Sequence, residues 1–75
     1  MRKQQFEKLI QKAGMYVVHA SISSPRFAVA LCHGKTYQAG IFEFEQDAFY
    51  KMTEEQAREY IKKCKDSMRR ELERV

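Results

Sequence analysis

Residues 53–75 of the chain read TEEQAREYIKKCKDSMRRELERV. The opening TEEQ is a capping box, in which the Thr53 hydroxyl accepts from the Gln56 N–H and the Gln56 side chain reaches back. No Gly or Pro interrupts the stretch, and apolar residues recur in steps of three and four: Ala57, Tyr60, Ile61, Cys64, Met68, Leu72 and Val75. The stretch therefore predicts one long amphipathic helix against which the rest of a short chain must pack.

The preceding residues predict a shorter helix and three strands. Four apolar residues spaced for one helix face, Phe6, Leu9, Ile10 and Ala13, indicate a helix over residues 3–13 that ends at Gly14. The apolar period then changes to two, which is typical of strands over residues 15–23, 26–33 and 36–45. Residues 45–51 are interpreted as a connection.

These elements predict a single domain over residues 1–75 of the α+β class. The order is α-β-β-β-α, a three-stranded antiparallel meander with two helices packed on one face. A chain of 75 residues buries only about 60% of its unfolded surface, so all elements must share one core.

The turns also predict how the strands pair. The turn at residues 34–35 sets Val29 opposite Gly40 in the second hairpin. In the first hairpin we expect Ile22 to pair with Phe27. These registers place the larger apolar residues on the helix side: Val18, Ala20, Ile22, Phe27, Val29, Leu31, Phe42 and Phe44.

The opposite sheet face is then open, and its residues are mostly small or apolar. An antiparallel sheet with one wet face normally alternates apolar with polar residues, and exposed apolar patches mark contact surfaces. We predict that this open face binds a protein partner or a second copy of the chain, unless Phe49, Tyr50 or the connection folds over it. The residues assigned to it are Val17, His19, Ala28, Ala30, Cys32, Tyr37, Ala39 and Ile41.

The formal net charge of +4 permits nucleic-acid binding without requiring it. Opposite charges four residues apart in the last helix, such as Glu54 and Arg58, are also typical of a solvated, ion-paired surface. The alternative hypothesis is a site for nucleic acid or a ribonucleoprotein formed by Arg2, Lys3, Lys8, Arg26, Lys35, Arg58, Lys62, Lys65 and Arg69.

The sequence predicts no catalytic site, metal or cofactor. Its three glycines are isolated, and its two Cys and two His lack zinc-ligand spacing. His19 and Cys32 fall on one predicted face at diagonal positions, but a nucleophile also needs an orienting group and an oxyanion site, which the pattern does not supply. The expected function is therefore non-enzymatic.

The remaining composition predicts a cytoplasmic protein without a membrane partner. No apolar run approaches the ~18 residues of a membrane span, and the charged N-terminal residues do not form a signal peptide. Two cysteines are too few for a disulfide scaffold, so we expect reduced thiols.

The segments SPRFAV at residues 24–29 and GKTY at residues 34–37, followed by Gly40, resemble the second and third strands of double-stranded-RNA-binding domains. The resemblance covers about residues 5–70 and implies the same α-β-β-β-α fold and RNA binding by basic residues of the last helix. The family's KKxAK cluster aligns with EEQAR at residues 54–58. Glutamates thus replace its lysines, and Arg58, Lys62 and Lys65 are the basic residues left to contact a duplex.

In its small size, its many charged residues and its lack of motifs, the chain also resembles small accessory proteins of phages and mobile elements, including anti-CRISPR proteins. That resemblance implies an inhibitor that acts by binding a large host complex. The predicted function is protein–protein contact of this kind, with double-stranded RNA or DNA binding as the alternative.

Overall fold

A computed structural model describes residues 1–21 and 23–74, apart from the side chain of Phe49. The elements are α1 (Lys3–Lys12), β1 (Tyr16–Ala20), β2 (Arg26–His33), β3 (Thr36–Glu43), α2 (Gln46–Lys51) and α3 (Glu54–Glu73). The strands form one antiparallel sheet in the order β1-β2-β3. Both long helices contact each other and the sheet, which confirms the predicted α-β-β-β-α meander.

The segment before α3 differs from the prediction. Instead of the expected connection over residues 45–51, Gln46–Lys51 forms the short helix α2. Asp47 in its first turn and Lys51 in its last turn carry the charges that favour a helix dipole. These local effects stabilise a turn of helix that carries no apolar periodicity, which is why the apolar pattern does not predict it.

The beginning of α3 is fixed by the predicted capping box. The Gln56 N–H donates to Thr53 Oγ1 at 3.2 Å, and the Thr53 N–H donates to Gln56 Oε1 at 3.1 Å. The end of α1 is fixed at Gly14, whose φ of 88° lies in the left-handed region. Both predicted signals for helix ends are therefore confirmed.

The core lies between the sheet and the two long helices. Phe6 of α1 is fully buried, with its ring centroid 5.1 Å from that of Phe27, 5.9 Å from that of Phe42 and 4.9 Å from that of Phe44. The other buried apolar residues are Leu9, Ile10, Met15, Val29, Leu31, Ala57, Ile61, Met68 and Leu72. The two long helices and the two longer strands all contribute, as a chain of this size requires.

Gly40 lets α3 approach β3 closely. A Cβ atom on this glycine would lie 3.3 Å from Met68 Sδ, which is tighter than ordinary contact. Met68 and Leu72 are both buried, so the C-terminal turns of α3 up to Leu72 lie against the core rather than beyond the sheet. Val75, the last residue of the predicted stripe, lies outside the described residues.

Candidate functional site

The first hairpin has a different register from the predicted one. Val17 pairs with Val29 and His19 pairs with Ala28, so the register shifts by one residue between Val17 and His19. This irregularity is a β-bulge, in which two residues of one strand oppose one residue of the other. The predicted pairing of Ile22 lies outside the described residues, but Phe27 pairs with Ala20.

The bulge corrects two assignments. Alternation predicts Val17 on the open face, but it is half-buried and packs against the core, because it shares a side with its partner Val29. Alternation predicts Val18 on the helix side, but 69% of it is exposed. One extra residue in β1 therefore exchanges the faces of the two adjacent valines.

The second hairpin pairs as predicted. Val29 is opposite Gly40 and Phe27 is opposite Phe42, without a break over the length of both strands. Gly34 has a φ of 61° while Lys35 does not have a positive φ, a combination that fits a type II′ turn with Gly first. Alternation along β2 and β3 then places the remaining assigned residues on the open face: Ala28, Ala30, Cys32, Tyr37, Ala39 and Ile41.

The open face forms a shallow trough along β2. Its middle strand presents the small residues Ala28 and Ala30, which are half-buried between their neighbours. The outer strands present larger side chains that are mostly exposed, at 64% for Tyr16, 69% for Val18, 69% for Tyr37 and 65% for Ile41. Two strand spacings separate β1 from β3, about 9.6 Å, which is close to the ~10 Å diameter of a helix.

Nothing in the described residues folds over this trough. Among the described residues, the backbone of α2 does not approach any strand closely, and Tyr50 is 56% exposed. The side chain of Phe49, the other residue considered as a cover, lies outside the described residues. Cover by Tyr50 or the connection is therefore not seen among the described residues, and cover by Phe49 stays a prediction.

Tyr16 and Val18 belong to the trough, although strict alternation does not predict them there. Both follow from the bulge, which puts Tyr16 opposite Ala30 and turns Val18 outward. The one available signal in the sequence is the pair of adjacent valines in YVVHA, where strict alternation would place a polar residue.

One end of the face carries an ion pair. Arg26 Nε lies 3.4 Å from Glu43 Oε1 at one end, and both side chains are largely exposed. The nucleic-acid hypothesis includes Arg26, but the register places it on the open face beside Glu43. Its charge is therefore partly neutralised by a pair that salt readily screens.

The structure does not bring His19 and Cys32 together. His19 is opposite Ala28, four residues along β2 from Cys32, so about 13 Å separates their backbone positions. The diagonal placement expected from the sequence is lost because Phe27 pairs with Ala20 and not with the predicted Ile22, which moves His19 two residues along β2. Among the described residues, no three His, Cys, Asp or Glu side chains group in a way that could hold a metal ion.

A second surface feature is a groove between α1 and α3. It encloses about 350 Å³ over an apolar floor of Leu9, Ala13 and Ile61. Four cationic side chains line it: Lys12, Arg58, Lys62 and Lys65. The sequence does not point to Lys12 as a member of the nucleic-acid set, because its approach to α3 depends on how the two helices pack.

The cations of this groove differ in their surroundings. Arg58 Nη2 lies 2.9 Å from Glu54 Oε1, so part of its charge is already paired. Lys65 is half-buried, and its Nζ lies 3.5 Å from the position that a Cβ of Gly14 would take. Lys62 is exposed, and within the described part of the chain it has no ion pair. The groove thus retains positive charge for an anionic ligand.

The other predicted basic residues are dispersed. Lys3 Nζ donates to the Ser24 carbonyl at 3.3 Å and lies 5.6 Å from the centroid of the Phe27 ring, which is a structural role. Arg2 caps α1, and Lys35 lies in the turn between β2 and β3. Lys8 lines a neighbouring depression with Lys12, and Arg69 is exposed one helical turn beyond Lys65. The nine assigned residues do not form one surface.

The two cysteines have different environments. Cys32 is exposed on the open face, whereas Cys64 is half-buried beside Tyr60. Burial raises the pKa of the Cys64 thiol, against a smaller opposing effect of its hydrogen bond to Tyr60. Burial, and then the neighbouring Cys64, raise the pKa of the Tyr60 hydroxyl.

We expect a thiol reagent at neutral pH to label Cys32 first, since the thiolate is the reactive species and Cys64 is both shielded and harder to ionise. Rapid-mixing absorbance should show a fast phase equal to half of the total thiol. Cys32→Ser should remove the fast phase and Cys64→Ser the slow one. Equal rates for the two thiols would contradict the burial of Cys64.

Comparison with protein families, curated proteins and solved structures finds no match to this chain. None of the helices within residues 1–21 and 23–74 combines the length and the apolar character that a membrane crossing requires.

Proposed function

We propose that this protein is a non-enzymatic binding module that captures a helix of a partner protein in the trough of its open sheet face. The observation that supports this is the distribution of side-chain size across the sheet. Small residues lie along β2, and large exposed ones lie on both sides: Tyr16, Val18, Tyr37 and Ile41.

The composition of the trough favours a protein partner. Its centre carries no charged side chain, while the Arg26–Glu43 pair lies at its edge. Depletion of charge at the centre and the presence of tyrosines are typical of protein interfaces. A partner helix with one apolar face would bury Tyr16 and Tyr37 while its polar face remained in water.

The proposed role is inhibition of a larger host assembly in the cytoplasm, as for the small phage proteins that the chain resembles. Binding over a broad, shallow face suits this role, because blocking a partner's helix requires no chemistry. The proposal rests on the trough, and the host assembly is the part that the resemblance supports.

The test uses a displayed library of amphipathic helical peptides, selected against the protein. We expect selected peptides to lose at least ~10-fold in affinity for Ala30→Glu and Tyr37→Asp, because each change puts an unpaired charge in the contact. Gln11→Glu, an equal change of charge at an exposed position of α1, should leave affinity unchanged. Circular dichroism should show that all three variants fold.

Two results would contradict the proposal. Peptides that bind both trough variants as tightly as the wild type would place the contact elsewhere. A selection that yields only extended peptides would exclude a helix as the occupant.

The basic groove favours a second candidate function, binding of double-stranded RNA or DNA. Lys12 and Lys62 approach from different helices, so a phosphate backbone crossing the groove would meet both. Glu54 and Glu55 at the beginning of α3 oppose a phosphate there, so any contact must lie farther along the helix, towards Lys62 and Lys65.

This candidate is tested by titrating short RNA and DNA duplexes at several salt concentrations. If phosphate binds in the groove, Lys62→Ala should lower the slope of log affinity against log salt by about 0.9, the value for one lost contact. Lys63→Ala, an adjacent exposed lysine outside the groove lining, should leave the slope unchanged. Equal effects of the two variants would indicate charge attraction without a site.

A further inference from the structure

The two outer strands of the sheet have different free edges. The edge of β1 is short and interrupted by the bulge, features that prevent another strand from pairing with it. The edge of β3 is eight residues long and pairs with β2 without a register shift, so it is regular and unprotected. Over the described residues β3 is contacted by β2 along its inner edge and by the two long helices from the core face, where Met68 covers Gly40 and the Phe6 ring meets that of Phe42.

The hairpin turn determines which backbone groups face this edge. In the turn at residues 34–35, Thr36 donates back to His33, so its N–H and C=O point towards β2. Because these directions alternate along an antiparallel strand, the groups of Tyr37, Ala39 and Ile41 point outwards. These are also the residues whose side chains lie on the open face.

We propose that a second copy of this chain pairs with the free edge of β3, antiparallel and about a two-fold axis at Ala39. Outward-pointing groups pair only with outward-pointing groups, so odd-numbered residues must be opposite odd-numbered ones. Centring on Ala39 meets that requirement and keeps the open faces of both copies on one side. If odd-numbered residues were opposite even-numbered ones, outward-pointing backbone groups would not meet, and the open faces of the two copies would lie on opposite sides of the sheet.

The side chains also favour this register over its neighbours. It sets Tyr37 opposite Ile41 of the second copy, an aromatic and β-branched pair formed twice by symmetry. It also sets Lys35 opposite Glu43 of the second copy, so opposite charges meet at both ends. A shift of the axis to residue 40 would instead oppose Tyr37 to Glu43, and a shift to residue 38 would oppose Lys35 to Ile41.

The result is a continuous six-stranded sheet with two troughs side by side. The contact is one strand wide, smaller than the interfaces of obligate dimers, so the dimer should dissociate on dilution. This inference concerns the edge of β3 and does not depend on what the trough binds.

The test exchanges the charges of Lys35, in the turn before β3, and Glu43, the last residue of β3. Lys35→Glu sets two glutamates opposite each other at both ends of the contact, and Glu43→Lys sets two lysines opposite each other there. We expect each variant to weaken self-association by ~10-fold or more, since attraction becomes repulsion at two sites. An equal mixture of the two variants should form a heterodimer, because each glutamate then meets a lysine. Analytical ultracentrifugation over a concentration series measures self-association of each variant and heterodimer formation in their mixture.

A backbone variant tests the pairing independently of charge. Ala39→Pro removes an N–H that points to the free edge and leaves the bonds to β2 in place, so it should give a folded monomer. A wild type that stays monomeric over the whole series would overturn the proposal, and so would single-charge variants that still dimerise. Ala30→Glu should leave dimerisation intact, which separates this result from failure of the proposed trough function.

Discussion

Phe6→Ala should remove most of the stability of this protein. A fully buried aromatic residue that becomes alanine typically costs ~3–5 kcal/mol, because the ring leaves a cavity. Domains have a free energy of unfolding of about 0.05–0.15 kcal/mol per residue, so a chain of 75 residues has about 4–11 kcal/mol in total. The variant should therefore unfold at much lower urea concentration or be unfolded without denaturant.

The position of Phe6 explains why no other contact compensates. Its ring touches those of Phe27, Phe42 and Phe44, and thus joins α1 to the two longer strands at once. Urea unfolding followed by circular dichroism measures the loss. Gln4→Ala, at an exposed position of the same helix, should change the free energy of unfolding by no more than ~0.5 kcal/mol. A Phe6→Ala variant that unfolds like the wild type would contradict the described core.

The parts of the fold that the sequence predicts correctly depend on local signals. The capping box at Thr53, the glycine at residue 14 and the two-residue turn at residues 34–35 each fix a backbone conformation within a few residues. From the turn, regular alternation extends the pairing along all of β2 and β3. The face of each residue in that hairpin can therefore be assigned without knowledge of the rest.

The features that the sequence does not predict arise from contacts between distant residues or from weak local effects. Lys12 joins the cations of α3 only because α1 and α3 pack side by side. Helix α2 has no apolar periodicity, so the pattern alone predicts a connection there. The outer edge of β3 is free because no described element pairs with it. Only the assembled fold can show this.

The open face illustrates both cases. Its residues from β2 and β3 are predicted correctly, since their alternation is unbroken. Its residues from β1 are partly wrong, because the bulge reverses the faces predicted for Val17 and Val18, whereas His19 and Ala20 beyond it keep theirs. Val17 and Val18 have the same side chain, so composition alone cannot show which of them faces the core.

One deletion should be tolerated and another should not, because of this bulge. Removal of Val17 or of Val18 gives the same chain, in which His19 pairs with Ala28 without a register shift. The faces of the remaining residues stay as they are, since only the extra residue is lost. We expect the free energy of unfolding to change by ~1 kcal/mol or less, because the lost side chain is the mostly exposed one.

Deletion of Ala30, in contrast, should strongly destabilise the protein. Strand β2 pairs regularly with β3, so the loss of one residue must turn either Leu31 or both Val29 and Phe27 to the open face. Exposing Leu31 would cost ~1.5–3 kcal/mol, and exposing both Val29 and Phe27 would cost about twice as much, against a total stability of about 4–11 kcal/mol. Urea unfolding of both deletion variants measures the contrast. If the variant lacking one valine is also strongly destabilised, β1 holds no spare residue and the face assignments of Tyr16 and Val17 must be exchanged. If both variants are as stable as the wild type, the sheet tolerates register shifts, and neither the trough nor the β3 edge has a fixed pattern of side chains to recognise a partner.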